Sequence, residues 1–198
     1  MKKTFYLIAI LFGCITFSNA QVTFKPGFRA GLNISHFSKG DDAYYNDGYT
    51  NDRDFGSITN FYIGFFGDLK LSKFYSLQPE INYSRQGSKF EYYDGGLMRN
   101  RTENLEVSYL AAGIANKFTF KKINVHVGPT IEFLVDQNFD TDADIDLAFF
   151  LGLGYDITPN FGIETRIKKG IIPVLDFSDG NHTNVVFSLG AFYKFDVK

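Results

Sequence analysis

Seven charged residues, Arg29, Asp68, Lys70, Glu80, Glu132, Glu164 and Arg166, stand in strand-like stretches at positions that alternation sends to one face. Lys168, Asn33, Gln78 and Asn82 fall on the same side. Charges of both signs gathered on one face suit either a set of mutually satisfied ion pairs or a path for a proton or an ion. An unpaired ion away from water is expensive, so the satisfied network is the expected arrangement and the path its alternative.

Other candidate chemistry is thinner. Asp140-Thr141-Asp142-Ala143-Asp144-Ile145-Asp146 spaces four carboxylates two apart, as at the start of a calcium loop. It lacks the glycine at the sixth position and has Leu151 where a glutamate would close the loop, so a solvated acidic loop is expected and no metal is assigned. His36 lies beside Ser35 and Ser38, which raises a lipid hydrolase built on a serine, a histidine and an acid in contact. No spacing enforces that contact, and no catalytic residue is assigned. His126 is expected near Glu132 as a satisfied interior residue, and no partner is expected for His182. Two stretches rich in Tyr, Asp, Asn and Gly, with Tyr44, Tyr45 and Tyr49 in one and Tyr92 and Tyr93 in the other, have the composition of recognition loops. No cofactor and no nucleic-acid partner is expected.

The elements that must position these residues show period-two alternation throughout. Eight strands are predicted near 24–37, 57–71, 75–88, 105–120, 123–136, 145–157, 161–170 and 183–197. In the second, Phe61, Ile63, Phe65, Leu69 and Leu71 oppose Asn60, Tyr62, Gly64, Phe66, Asp68 and Lys70. In the sixth, Ile145, Leu147, Phe149, Leu151, Leu153, Tyr155 and Ile157 oppose Asp146, Ala148, Phe150, Gly152, Gly154 and Asp156. Short connections at 72–74, 121–122 and 159–160 alternate with long ones at about 38–56, 89–104, 137–144 and 171–182. Short turns at one end and long loops at the other are the layout of an even-stranded up-and-down barrel with periplasmic termini. Phe74, Tyr75, Phe120, Phe161, Tyr193 and Phe195 fall at the short-turn end, where an interfacial aromatic girdle belongs.

Alternation alone does not say which face points out. A soluble lipocalin-type barrel would turn the apolar set inward and pack its exterior with the polar one. The membrane reading is preferred because the polar face carries Asp, Glu, Asn and the small residues, a poor dry core but a good narrow lumen. The N-terminus agrees: Lys2 and Lys3, an apolar run from Phe5 to Phe17, and Ser18-Asn19-Ala20 make a secretory leader expected to be cleaved after Ala20. A lipoprotein processed at Cys14, the single cysteine, is the alternative. The predicted domains are therefore a leader at 1–20 and one barrel at 21–198. Net charge is slightly negative in the full chain, with 20 basic and 22 acidic residues, and loss of Lys2 and Lys3 makes it more so.

Ser188-x-Gly190-x-x-Tyr193-x-Phe195 in the last strand resembles the C-terminal signal that hands bacterial outer-membrane barrels to their insertion machinery. A longer resemblance runs through Phe28-Arg29-Ala30-Gly31-Leu32-Asn33, through the run from Gly67 to Gly87 with Leu77-Gln78-Pro79-Glu80 as its most specific part, and through Val127-Gly128-Pro129-Thr130 and Gly152-Leu153-Gly154-Tyr155. In these stretches the chain resembles the PorT family of outer-membrane β-barrels of Bacteroidetes-type bacteria. That resemblance implies an all-β, eight-stranded antiparallel transmembrane barrel in the cell outer membrane, in contact with outer-membrane lipid. The expected function is a non-enzymatic structural or surface-recognition role with a filled lumen. The alternatives are a membrane component of a secretion or transport assembly, with a partner in that system, and the rim-located hydrolase.

Overall fold

Alternating apolar and polar residues cannot bury one face of a lone strand; they need neighbours that put like faces together, and closing the sheet on itself removes its edges. The computed structural model describes residues 22–38, 54–94, 96, 98–177 and 180–197, and has this arrangement. The strands are β1 (Thr23–Phe37), β2 (Asp54–Gly56), β3 (Ile58–Lys70), β4 (Tyr75–Asp94), β5 (Arg99–Phe120), β6 (Ile123–Gln137), β7 (Ile145–Asp156), β8 (Phe161–Gly170), β9 (Leu175–Phe177), β10 (Gly180–His182) and β11 (Asn184–Lys194). Eight of them pair antiparallel in the order β4-β3-β1-β11-β8-β7-β6-β5, and β5 pairs again with β4 to close the ring. The first and last strands meet at Arg29↔Phe192 and Gly31↔Gly190. At that seam a Cβ on Gly31 would stand 2.3 Å from the Leu189 carbonyl oxygen, so the two glycines permit the close approach.

The faces separate as alternation requires. Phe65 is 66% exposed and its neighbour Phe66 only 5%. Leu32, Ile81, Leu151, Ile167 and Leu189 are likewise exposed, whereas Arg29, Glu80, Glu132 and His126 are buried. Apolar residues form the outer belt and polar residues the interior, the inverse of a soluble barrel, so the lipocalin-type alternative is overturned. At the short-turn end Phe74 stacks on Phe120 at 5.9 Å and Tyr193 meets Phe195 edge-on at 5.3 Å, on the outer surface.

Several boundaries differ from expectation. Most of 89–104, predicted as a long loop, is strand: β4 and β5 stay paired from Tyr75↔Phe118 to Asp94↔Arg99, a hairpin extending beyond the ring. Its loop-like composition masked a β-prone run at Phe90 to Tyr93. The predicted loop before β3 contributes β2, which continues β3 across Ser57 and pairs with the far part of β4. The last long loop carries the small hairpin β9–β10. Ladder pairs are missing where Pro79 in β4 and Pro129 in β6 supply no N–H, consistent with the donor each removes. A register shift between Ser108 and Tyr109 leaves Val107, Ser108 and Tyr109 all buried at the long-loop end of β5. The leader predicted at 1–20 and Tyr44, Tyr45 and Tyr49 lie outside the described residues.

Candidate functional site

The interior is layered, and its layers follow from which strand position each side chain occupies. At mid-height β1 supplies Arg29, β4 supplies Glu80, and β8 supplies Glu164 and Arg166, all on inward positions. Arg29 Nη1 donates to Glu80 Oε2 at 2.7 Å, and Arg166 donates through Nη1 to Oε1 at 2.7 Å and through Nη2 to Oε2 at 3.2 Å. Asn82 donates to Glu80 Oε1 at 3.1 Å. Glu164 sits 3.7 Å from Arg29 and 3.6 Å from Arg166 and accepts from the Tyr62 hydroxyl at 3.2 Å. Two guanidiniums thus face two carboxylates, and the charge cancels within one layer. Each guanidinium also lies over a ring, Arg29 on Phe66 and Arg166 on Phe150, both at 4.6 Å.

Nearer the long loops a second pair, Lys168 with Glu132, is braced by Gln86 donating to Glu132 Oε2 at 3.1 Å and Thr130 donating to Oε1 at 3.3 Å. Ser188 donates to Asn33 Oδ1 at 2.7 Å and Asn33 donates to Ser84 at 3.0 Å, linking β11, β1 and β4 across the lumen. The cavity bounded by Asn33, Glu80, Glu132, Arg166 and Lys168 holds about 40 Å³, room for roughly one or two waters.

Above the charges the barrel ends in an apolar cap. Phe37, Val107, Tyr109, Val174 and Leu175 are buried together, with Phe55 and Phe139 against them. The segment carrying Val174 is tied down: Val174 N donates to the His182 carbonyl at 2.8 Å, Asp142 N to the Val174 carbonyl at 3.0 Å, and the Ile172 amide to Asp146 Oδ1 at 3.1 Å. At the opposite, short-turn end the lumen opens into a vestibule of about 460 Å³.

Of the seven charges read from the sequence, Arg29, Glu80, Glu132, Glu164 and Arg166 come together in the buried lumen. Asp68 stands at the short-turn mouth, 3.8 Å from Lys194 Nζ. Lys70 is a correction: it is exposed and lines the vestibule, because β3 ends there. His126 does not approach Glu132, which lies six residues along the same strand; its Nε2 is 4.0 Å from Glu164 and its Nδ1 is 3.3 Å from Asn124. His182 does have partners, with Nδ1 2.7 Å from the Ser38 carbonyl oxygen and its ring 4.7 Å from Phe55.

Ser35 and His36 are consecutive in a strand and face opposite ways, so the rim hydrolase is not assembled by β1. Ser35 Oγ is buried and donates to the Gly87 carbonyl at 2.9 Å. Asp146 turns into the lumen, while Asp140, Asp142 and Asp144 stay exposed; among the described residues no three His, Cys, Asp or Glu gather as a metal site. Tyr92 stacks on Phe90 at 5.4 Å and donates to Glu103 at 2.9 Å, and the Tyr93 side chain lies outside the described residues. Ser188 and Gly190 hold inward positions of β11 and Tyr193 an outward one, and Phe195 is exposed just past the strand's end. Missing from the sequence reading was Lys117, although it shares the inward positions of β5 with Ala111 and Ala115. The cap was also missed; the bulge that builds it has no local signature.

Residues 19–180 match the sequence profile described as an outer membrane protein beta-barrel domain. Among solved structures, neisserial surface protein A is similar at 14% identity and a TM-score of 0.53, covering 86% of this chain and 97% of that one. The outer membrane protein OprG from Pseudomonas aeruginosa aligns at 10% identity and a TM-score of 0.49, over 89% of this chain and 98% of its own. A comparison with curated proteins finds no match. The likeness to the neisserial protein is one of fold.

Proposed function

The chain belongs to the family of outer membrane protein beta-barrel domains, and from that membership we propose that it is a sealed, non-enzymatic surface protein of the outer membrane. Its barrel holds long loops at the cell exterior and conducts nothing. In this reading residues 1–20 are a leader removed on export, and the termini and short turns face the periplasm. Ser188, Gly190, Tyr193 and Phe195 present the last strand to the insertion machinery, and the outer belt contacts lipid. Assignment to the PorT family of Bacteroidetes-type bacteria is the finer form of the proposal and rests on the stretch Leu77-Gln78-Pro79-Glu80 and its companions.

The observation that carries the reading is the blocked interior. A solute or ion in transit would have to displace the Arg29, Arg166, Glu80 and Glu164 layer, whose charges are already neutralised, and then the apolar cap. Planar-bilayer recording of the refolded protein tests it. No stable conductance steps are expected; reproducible ohmic steps from a pure, folded sample would overturn it.

A second reading, a membrane component of a secretion or transport assembly, is favoured by the β4–β5 hairpin that projects past the ring with Lys89, Glu91, Arg101 and Glu103 exposed. Cross-linking from Tyr92 that captures a second outer-membrane or cell-surface component in cells would support it, and labelling of the barrel alone would count against it.

A further inference from the structure

The vestibule at the short-turn mouth differs from the neutral layer above it. Three lysines line it from inward positions of three strands, Lys25 from β1, Lys70 from β3 and Lys194 from β11, and Lys117, on an inward position of β5, is buried beside it. Lys73, Lys121 and Lys122 of the short turns stand at its edge. The acids there are few and engaged. Asp196 holds Lys25 at 2.5 Å, while Asp68 and Asp156 lie 3.8 and 3.5 Å from Lys194 Nζ.

Lys117 is the telling residue. It is 4% exposed and pairs across the ladder with Ser76, which lines the vestibule. Its Nζ stands 4.9 Å from the centre of the Phe192 ring, and Lys194 Nζ lies 5.5 Å from the same centre. Among the described residues its ammonium has no hydrogen-bond or ion-pair partner. Two cations sharing one ring beside a chamber with a surplus of positive charge is an unfavourable arrangement in isolation and a favourable one around an anion.

The geometry points to the short-turn mouth as a binding site for a multiply charged phosphate group, held by lysines that four strands turn inward. Lys194 and Lys70 line it, and Lys117 stands behind Lys194 at the Phe192 ring. The vestibule's size, about 460 Å³, suits a phosphate ester or diphosphate carried on a small organic body. The inward direction of the lysines matters for the source. The outer surface at this end presents Phe74, Phe120, Tyr193 and Phe195, so a bilayer headgroup meets aromatics there, whereas a soluble phosphate enters the lumen from water.

The probe is inorganic pyrophosphate, titrated calorimetrically into the full chain refolded in zwitterionic micelles. Saturable binding is expected, weakened at least about tenfold by Lys117→Met with Lys70→Gln, each removing a charge-assisted contact. Lys70→Gln alone, at an exposed position, is expected to weaken binding without affecting folding, which keeps the test valid if Lys117→Met unfolds the barrel. Lys169→Gln, at the other end of β8, is expected to leave binding unchanged. Repetition in nanodiscs separates the sources. Equal affinity in phosphatidylcholine and in phosphatidylglycerol mixtures assigns a soluble phosphate, and loss of affinity in the anionic mixture assigns a lipid headgroup at the same lysines. Absence of saturable binding, or equal weakening by Lys169→Gln, would overturn the site.

Discussion

Replacing Glu80 by glutamine leaves two buried guanidiniums sharing an uncharged amide, so it reads the charge layer most sharply. Breaking a buried ion pair by removing one partner costs about 3–5 kcal/mol. Glu80→Gln is therefore expected to lower the urea midpoint of the micelle-bound protein, followed by circular dichroism, by more than Glu132→Gln does. Glu132 faces a lysine that is itself partly exposed. Equal effects would mean that the Arg29–Glu80–Arg166 contacts do not dominate. Outside the barrel, Asp196 is exposed and accepts from Lys25 and, at 2.6 Å, from Asn160, and these two hydrogen bonds hold its carboxyl below the usual range. A lowered folded value contributes stability that is whole above about pH 4, the unfolded value, and fades as pH falls through the folded one. Amide exchange at Phe195 and Asp196 is expected to quicken only below that point; a change centred near neutral pH would contradict the assignment. The buried charges were legible from alternation because a lumen imposes period two on each strand. Lys70 and the neighbour of His126 were not, since alternation gives the face but neither where the strand leaves the barrel nor who stands across it.

Strand seams give the next level of test. A Cβ on Gly128 in β6 would lie 1.9 Å from the Ile114 carbonyl oxygen of β5, and backbone does not yield as a side chain does. Gly128→Ala is expected to destabilise by about 1–3 kcal/mol, the usual range for overpacking. Gly56→Ala, whose Cβ would meet only the flexible Lys89 side chain, at 3.3 Å and 3.8 Å, should be close to neutral by the same urea measurement. If the two behave alike, the β5–β6 contact is looser than described. The cap has its own test. Val174→Asp puts an unpaired carboxylate among Phe37, Val107 and Tyr109, so the segment 171–182 is expected to become protease-sensitive while the barrel persists. Unchanged cleavage would show that the apolar contacts do not hold it. Eight strands and their order along the chain were readable in advance. The extended hairpin and the cap were not, because one depends on pairing beyond the membrane belt and the other on a bulge and on contacts between residues about seventy apart in sequence.

The molecule as a whole joins an outward apolar belt, a neutralised interior and two unlike ends: an apolar lid at the long-loop end and a lysine-lined vestibule at the short turns. The outward placement of residues such as Phe65, Ile81 and Leu151 makes sense only if hydrocarbon replaces water around them. Electrophoresis of the outer-membrane fraction, unheated and boiled in SDS, tests this most directly. A closed barrel stays folded in cold SDS and unfolds on boiling, so the protein is expected in that fraction with a heat-dependent change of mobility. Recovery as a soluble protein whose mobility ignores heating would contradict the transmembrane barrel, and with it the assignment of the apolar belt to lipid.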